Sequence, residues 1–261
     1  MAKSKLMNMD SLSFQGMDED AELIPLMTPE DEEEINKEDL PEILPILPLR
    51  NTVLFPGVVI PITAGRDASI KLINDANNGS KVIGVVAQMD EEIENPKLKD
   101  IHKTGVVARI LRVLKMPDGN TTIIIQGKKR FEISEIISEK PYLTATIKEV
   151  SEKRPEASNK EFAAIVDSIK DLSLQIIKGS PNIPSEASFA IKNIESPSFL
   201  INFVSSNMNL TVGEKQKLLE TNNLKDRALS TLKYINIEFQ KLEIKNDIQR
   251  KFQSDMSQQQ R

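Results

Sequence analysis

The sequence predicts an α+β chain in three zones behind a charged leader. Residues 40–150 form a β-rich lobe with one helix, residues 151–222 an all-α bundle, and residues 223–261 a long projecting helix. Three observations predict it. Val- and Ile-rich runs separated by turn residues fill 40–150, and two of them flank Asp118-Gly119. After Val150 the apolar residues change to a spacing of three and four, the mark of helices buried along one face. From Asn223 that spacing runs on to the terminal SDMSQQQR with neither Gly nor Pro to stop it, which is expected of a piece of a longer protein.

The leader, residues 1–39, is expected to be disordered. Residues 18–39 hold eleven carboxylates and one lysine, a charge of −10 that self-repels and offers little apolar surface to bury. Residues 1–17 carry +1, so of the net −5 the remaining body holds +4. The segment is either a solvated leader or a shield for a basic surface on its own body or on a neighbour. Met7, Met9, Met17 and Met27 decorate it.

The elements follow in order. Residues 43–49 and 58–62 are short apolar runs on either side of the turn Phe55-Pro56-Gly57, interrupted by Arg50 and Asn51. Pro45, Pro48 and Pro61 lack an N–H, so these strands are expected at edges or bends. Residues 66–78 read as a helix through Ile70, Ile73 and Ala76, stopped by Asn78-Gly79. The continuous run KVIGVVAQ at 81–88 is a buried strand, and 90–100 an acidic loop. Residues 105–115 and 121–126 form a hairpin around Asp118-Gly119, because Gly accepts the positive φ that tight turns need. Strands at 131–137 and 142–150 complete the lobe; in the last, Leu143, Ala145 and Ile147 alternate with polar residues. A polar connector at 151–155 leads to helices at 161–177, 185–193, 196–205 and 212–221. Ser185, Ser196 and the pair Thr211 and Glu214 mark helix starts. In the final helix Ala228, Leu232, Ile235, Phe239 and Leu242 form one stripe, and Ile237, Ile244, Ile248 and Phe252 a second that suits an absent partner.

Composition narrows the chemistry. There is no cysteine, hence no disulfide framework or thiolate metal site, and the single histidine, His102, reads as a loop residue. No metal site is expected. No apolar run approaches the ~20 residues that span a bilayer, and the N-terminus lacks a secretory core, so a cytoplasmic protein without a membrane partner is expected. The phosphate loop G-x-x-x-x-G-K-S/T and the nucleophile elbow G-x-S-x-G are absent, and no serine sits in a Gly-flanked turn after an apolar strand. No catalytic residue is therefore expected within residues 1–261.

Candidates for binding remain. Lys128-Lys129-Arg130 reads as a solvated turn, or as a contact for phosphate or for the acidic leader. Arg109 and Arg112, three apart on one strand, are expected on opposite faces, either snorkelling at the sheet margin or lining a groove that takes a peptide carboxylate or carbonyl. Phe55-Pro56-Gly57 is either a structural turn or part of an exposed apolar surface for unfolded segments.

The run ILPILPLRNTVLFPGVVIPITAGR at 43–66 resembles the opening of the N-terminal domain of the Lon family of ATP-dependent proteases. GVVARILRVLKMPDGNTTIIIQGKKRFEI at 105–133 resembles a second segment of that family. The resemblance runs from about Leu44 to the C-terminus and implies a PUA-like β lobe, a helical bundle and a long outgoing helix. It implies a substrate-recognition and assembly domain of a hexameric ATP-dependent serine protease that degrades misfolded and degron-bearing proteins. The Ser–Lys dyad and the AAA+ module, with its ATP and Mg, would lie beyond this sequence, which itself needs no cofactor. On that reading Phe55, Pro56, Arg109 and Met116 contact substrate, and Leu232, Ile235, Phe239 and Ile248 pack the helix or join subunits of a homohexamer. Two rival readings are a free-standing adaptor of the same fold and a nucleic-acid-binding PUA-like module, the latter suggested by the +4 body.

Overall fold

The computed structural model describes residues 6–8, 23–184 and 186–259. The chain divides into two compact units, each discontinuous. One comprises Pro29–Arg154 and Ser205–Leu224; the other comprises Met1–Thr28, Pro155–Val204 and Lys225–Arg261.

The first unit is built on β3 (Ile43–Leu49), β4 (Val59–Ala64), α2 (Asp67–Asn78), β5 (Val82–Ala87), β6 (Thr104–Lys115), β7 (Thr121–Ser138) and β8 (Thr144–Glu149). Strand order is β4-β7-β6-β5-β3-β8, and a further pairing of β7 with β8 closes β7, β6, β5, β3 and β8 into a ring. Closure leaves short open stretches within the ring, and along its whole length β4 has one ladder partner among the described residues, β7. The 18-residue β7 serves both sides of the ring by bending, and register shifts against β6 and β8 mark the bulges where it bends.

Alternation supplies the core. Leu44, Ile46, Val86, Ile101, Val107, Phe131, Ile133 and Ala145 form one buried cluster. Two glycines make room for the Phe131 ring. A Cβ on Gly84 or on Gly105 would stand 2.9 Å from its Cζ, and one on Gly105 would also stand 2.2 Å from the Val85 carbonyl oxygen.

Three expectations for this unit are corrected. β3 lies inside the ring, not at an edge. Its prolines are tolerated because Ile43 to Pro45 pair with β8 and Ile46 to Leu49 pair with β5, so among the described residues each half has a single ladder partner. Lys128-Lys129-Arg130 is not a turn: two expected strands merge into β7, and these residues sit in its middle. Part of the leader expected to be disordered is α1 (Pro29–Lys37). Pro29 opens it, Glu30, Asp31 and Glu32 lie in the first turn and Lys37 in the last, as the helix dipole favours. Residues 1–5 and 9–22 of that leader lie outside the described residues.

The acidic segment meets the basic body of its own unit. Glu38 accepts from buried Lys128, and Glu32 lies 2.5 Å from Arg154, which also holds Glu152 at 2.9 Å. Burial alone would lower the Arg154 pKa, but Glu152 and Glu32 outweigh it and raise it above the ordinary value.

α6 (Val212–Glu220) belongs to the same unit. Thr211 caps it in a reciprocal box with Glu214. Its C-terminal carbonyls are met by Arg130, 3% exposed, whose Nη1 donates to Leu219 O and Asn222 Oδ1 at 2.9 Å each and whose Nη2 donates to Ser151 O at 3.2 Å. Gln216 donates to Thr104 O at 3.0 Å, and Leu224 N donates to Lys153 O at 2.9 Å.

The second unit contains β1 (Leu6–Asn8) paired antiparallel with β2 (Leu23–Pro25), α3 (Lys160–Gly179), α4 (Glu186–Asn193), most of α5 (Pro197–Asn207) and α7 (Leu224–Gln259). Ile165, Ile169, Ile191, Leu200, Ala228 and Ile235 are buried within it. Asn159 caps α3 by accepting from Phe162 N. Arg227, fully buried, donates to Asn202 Oδ1 at 2.9 Å. α7 touches the end of α3 through Leu242, 3.1 Å from a Cβ built on Gly179, and through Asn246, which donates to Gly179 O. From Asp247 to Met256 every residue of α7 is exposed, a run of roughly 15 Å at 1.5 Å per residue. The expected α+β class, with its single helix among the strands and its long last helix, is the one observed.

Candidate functional site

The turn Phe55-Pro56-Gly57-Val58 is a type II turn in all its parts. Pro56 presets the second position, Gly57 takes φ 78° at the third, and Val58 N donates to Phe55 O at 3.2 Å. The chain then enters β4 through a bulge in which Gly57 N donates to Gly127 O and Gly127 N to Val58 O, both at 2.9 Å. A Cβ on Gly127 would stand 2.3 Å from Phe55 O, so the turn is seated on bare backbone.

This seating corrects the expectation for Phe55. Its side chain is 0% exposed, a core residue rather than a surface contact for substrate. Pro56 is half-buried. Arg109 is exposed and faces Gln126 across the ladder. The expectation that Arg109 and Arg112 lie on opposite faces fails at a bulge. Leu111 is the extra residue, so Arg109 opposes Gln126 and Arg112 opposes Ile124, two positions on one face. Met116, 39% exposed, sits at the hairpin tip, seven residues beyond Arg109 and roughly 20 Å along the strand. The four residues do not form one patch. In α7 the expected packing residues divide: Ile235 is buried, Leu232 and Phe239 are half-buried, and Ile248 is 62% exposed beside Ile244 and Phe252.

A different set does converge. The end of β3, the second half of β4 from Pro61 to Ala64 and the first turn of α2 enclose an open groove of about 1330 Å³, with Glu94, Asn95, Lys140 and Pro141 on its rim. A second cavity of about 300 Å³ adjoins it and shares Leu47, Pro48, Arg66 and Ser69. Apolar walls come from Leu47, Pro48, Ile62, Ala64 and Pro141.

Two guanidiniums stand in it. Arg50 lies 4.0 Å from the exposed carboxylate of Glu94. Arg66 occupies the N-cap position of α2, makes no capping bond with its side chain, and donates from Nη2 to Gln88 Oε1 at 2.5 Å. Gln88 is buried and fixed by its own Nε2, which donates to the carbonyls of Asp90 and Ile93 at 3.0 Å each. Arg66 is thereby held in one orientation. Burial, and then the positive charge of Arg50, push its pKa below the ordinary value, and Glu94 only partly offsets them. Arg66 remains charged at neutral pH, so the groove concentrates positive charge. Tyr142, which lines the smaller cavity, donates to Asp75 Oδ2 at 3.1 Å. Burial, together with that bond, raises the phenol pKa.

Sequence reading found the stretch that builds this groove, 43–66, but placed its weight on Phe55. The available signal was the pair Arg50 and Arg66, cations that bracket an otherwise apolar turn and strand. The basic cluster at 128–130, by contrast, is taken up internally by Glu38, Glu149 and the carbonyls that end α6. Among the described residues no helix is long and apolar enough to cross a membrane, and no three His, Asp or Glu side chains gather as a metal site.

A family model described as the ATP-dependent protease La (LON) substrate-binding domain matches residues 43–236. Lon protease of Flavobacterium johnsoniae is 70% identical over 261 residues, 100% of this chain and 32% of that protein. Lon protease of Cytophaga hutchinsonii is 48% identical over 243 residues, 93% of this chain and 30% of that protein. The chain thus spans about a third of the length of these curated relatives. Among solved structures, the N terminal domain of Mycobacterium avium complex Lon protease aligns with a TM-score of 0.60 at 24% identity, over 74% of this chain and 98% of that one. A Lon N-terminal domain protein from Xanthomonas campestris aligns with a TM-score of 0.51 at 16% identity, again over 74% and 98%. At these identities the likeness is one of fold.

Proposed function

The chain belongs to the Lon protease substrate-binding domain family, and on that premise we propose that its β-rich unit holds unfolded or degron-bearing protein clients for a protease module outside these residues. The observation that carries this reading is the open groove along β4, whose apolar walls offer burial to an extended chain and whose guanidiniums offer hydrogen bonds to its backbone. Leu111 and Met116, 48% and 39% exposed on the hairpin, add apolar surface nearby in the same unit.

In this reading the chain binds and does not cut. Peptide hydrolysis by a Ser–Lys dyad, and the ATP and Mg that drive unfolding, belong to the rest of the parent protein. The parent is a cytoplasmic homohexamer. Six grooves around one ring raise the effective concentration of weak sites, so modest single-site affinity suffices. The exposed stripe of α7, Ile244, Ile248, Phe252 and Met256, supplies the contact between subunits. A nucleic-acid partner is disfavoured because the basic cluster on β7 is already engaged with Glu38, Glu149 and the end of α6.

The test is retention on the immobilised chain of one protein in its native and its denatured, alkylated forms. Selective retention of the denatured form is expected. Equal retention of both, or of neither, overturns the reading.

A further inference from the structure

The groove contains two features that apolar gripping does not use: a sheet edge open on one side and two guanidiniums placed where that edge ends. The bulge pair at Val58 and Gly127 fixes which backbone groups face outward. Ladder bonds in an antiparallel pair fall on every second residue, and the register runs Ile60↔Ile125, Ile62↔Ile123, Ala64↔Thr121. Ile60, Ile62 and Ala64 therefore bond to β7, while Val59, Pro61 and Thr63 turn their backbone groups to the open side. Pro61 has no N–H and so sits where none is needed by the sheet. The Oγ1 atoms of Thr63 and Thr122, 2.9 Å apart, agree with this phase, since side chains approach most closely at non-bonded pairs.

At its C-terminal end β4 runs through Gly65 into Arg66, and Arg50 lines the same groove. Two carboxylates share the groove with them: Asp67, in the first turn of α2, and Glu94, which is exposed and 4.0 Å from Arg50, too long for a hydrogen bond. We propose that this groove takes the free C-terminal end of a client polypeptide, its last residues added as a strand parallel to β4 and its terminal carboxylate lodged against Arg66 and Arg50. The proposal rests on the client-binding reading above and narrows it to a chain end. The direction follows from the topology: only a strand running with β4 delivers its last residue to Arg66. The choice of a terminal carboxylate over an acidic side chain follows from geometry. Side chains stand perpendicular to a sheet, whereas a terminal carboxylate continues along the strand axis toward the guanidiniums.

The probe is a peptide of alternating valine and serine, fluorescein-labelled at its N-terminus, read by anisotropy with the full chain. Ending the peptide in an amide instead of an acid is expected to weaken binding about tenfold, the worth of one charge-assisted hydrogen-bond pair. Arg66→Gln is expected to erase that difference. N-methylation at alternate peptide positions is expected to weaken binding in one phase and not in the other. Equal affinity for the acid and amide forms overturns the proposal. So does an amide peptide with a penultimate glutamate that binds as well as the acid, or insensitivity to methylation in both phases. Failure of every peptide to bind also overturns it; if the chain still retains denatured protein, client binding itself survives and only end recognition falls.

Discussion

Arg130→Met should unlock α6 from the β ring, and the size of the effect can be worked from the contacts. The methionine fills most of the volume but donates nothing. Leu219, whose carbonyl accepts from Nη1 at 2.9 Å, is 1% exposed, so that oxygen would be left buried and unpaired at about 1–3 kcal/mol. The oxygens of Asn222 and Ser151 belong to exposed residues and would recover water, losing only the net worth of a bond, about 0.5–1.5 kcal/mol each. The total is about 2–6 kcal/mol. For a unit of about 150 residues, at about 2–4 °C per kcal/mol, this lowers the melting temperature by roughly 5–20 °C. The assay is thermal unfolding followed by circular dichroism in the region where strands dominate, with Arg130→Lys as a control that keeps the charge but lacks the fork. Lysine should fall between parent and methionine. A methionine variant that melts within about 2 °C of the parent would refute the claim that Arg130 terminates α6 and fastens it to the ring.

Other substitutions separate core from surface. Phe55→Ala should cost about 3–5 kcal/mol in urea unfolding, because its ring is fully enclosed; a change near zero would return Phe55 to the surface. Thr211→Ala should cost about 1 kcal/mol through loss of the capping box, seen as faster amide exchange in the first turn of α6. Ile248→Asp should leave the melting temperature within about 1–2 °C of the parent, since the side chain is 62% exposed. Sedimentation then reads association of α7 alone, and an unchanged sedimentation profile in an otherwise self-associating chain removes Ile248 from that contact.

Most elements were legible because each is specified by its own residues. The run at 43–49 is β3 to the residue, and the box at Thr211 and Glu214 starts α6 where expected. What was not legible depends on distant partners. Gly127-Lys128-Lys129-Arg130 reads locally as a polar turn, yet Glu38, Glu149 and Leu219 come from far along the chain to satisfy these cations and let the strand run through. The proline-bearing β3 could enter the ring only because its two halves pair with different strands, a fact of topology. The bulge at Leu111 that puts Arg109 and Arg112 on one face leaves no local mark either. Phe55 illustrates the converse. The residues of its turn were identified, but whether the ring faces in or out is decided by Gly127 on β7.

The return of residues 205–224 to the β-rich unit has a consequence for synthesis on the ribosome. When Glu149 emerges, every strand of the ring exists, but the carbonyls that receive Arg130 do not. At roughly 5–20 residues per second the missing turn follows about 4–15 s later. Until then a guanidinium destined for burial is wet, and the newborn ring is held by strand pairing and its own apolar cluster without α6. Completion of this unit waits on codons from the other side of the helical insert, so a gene cut at Val150 would encode a lock without its key.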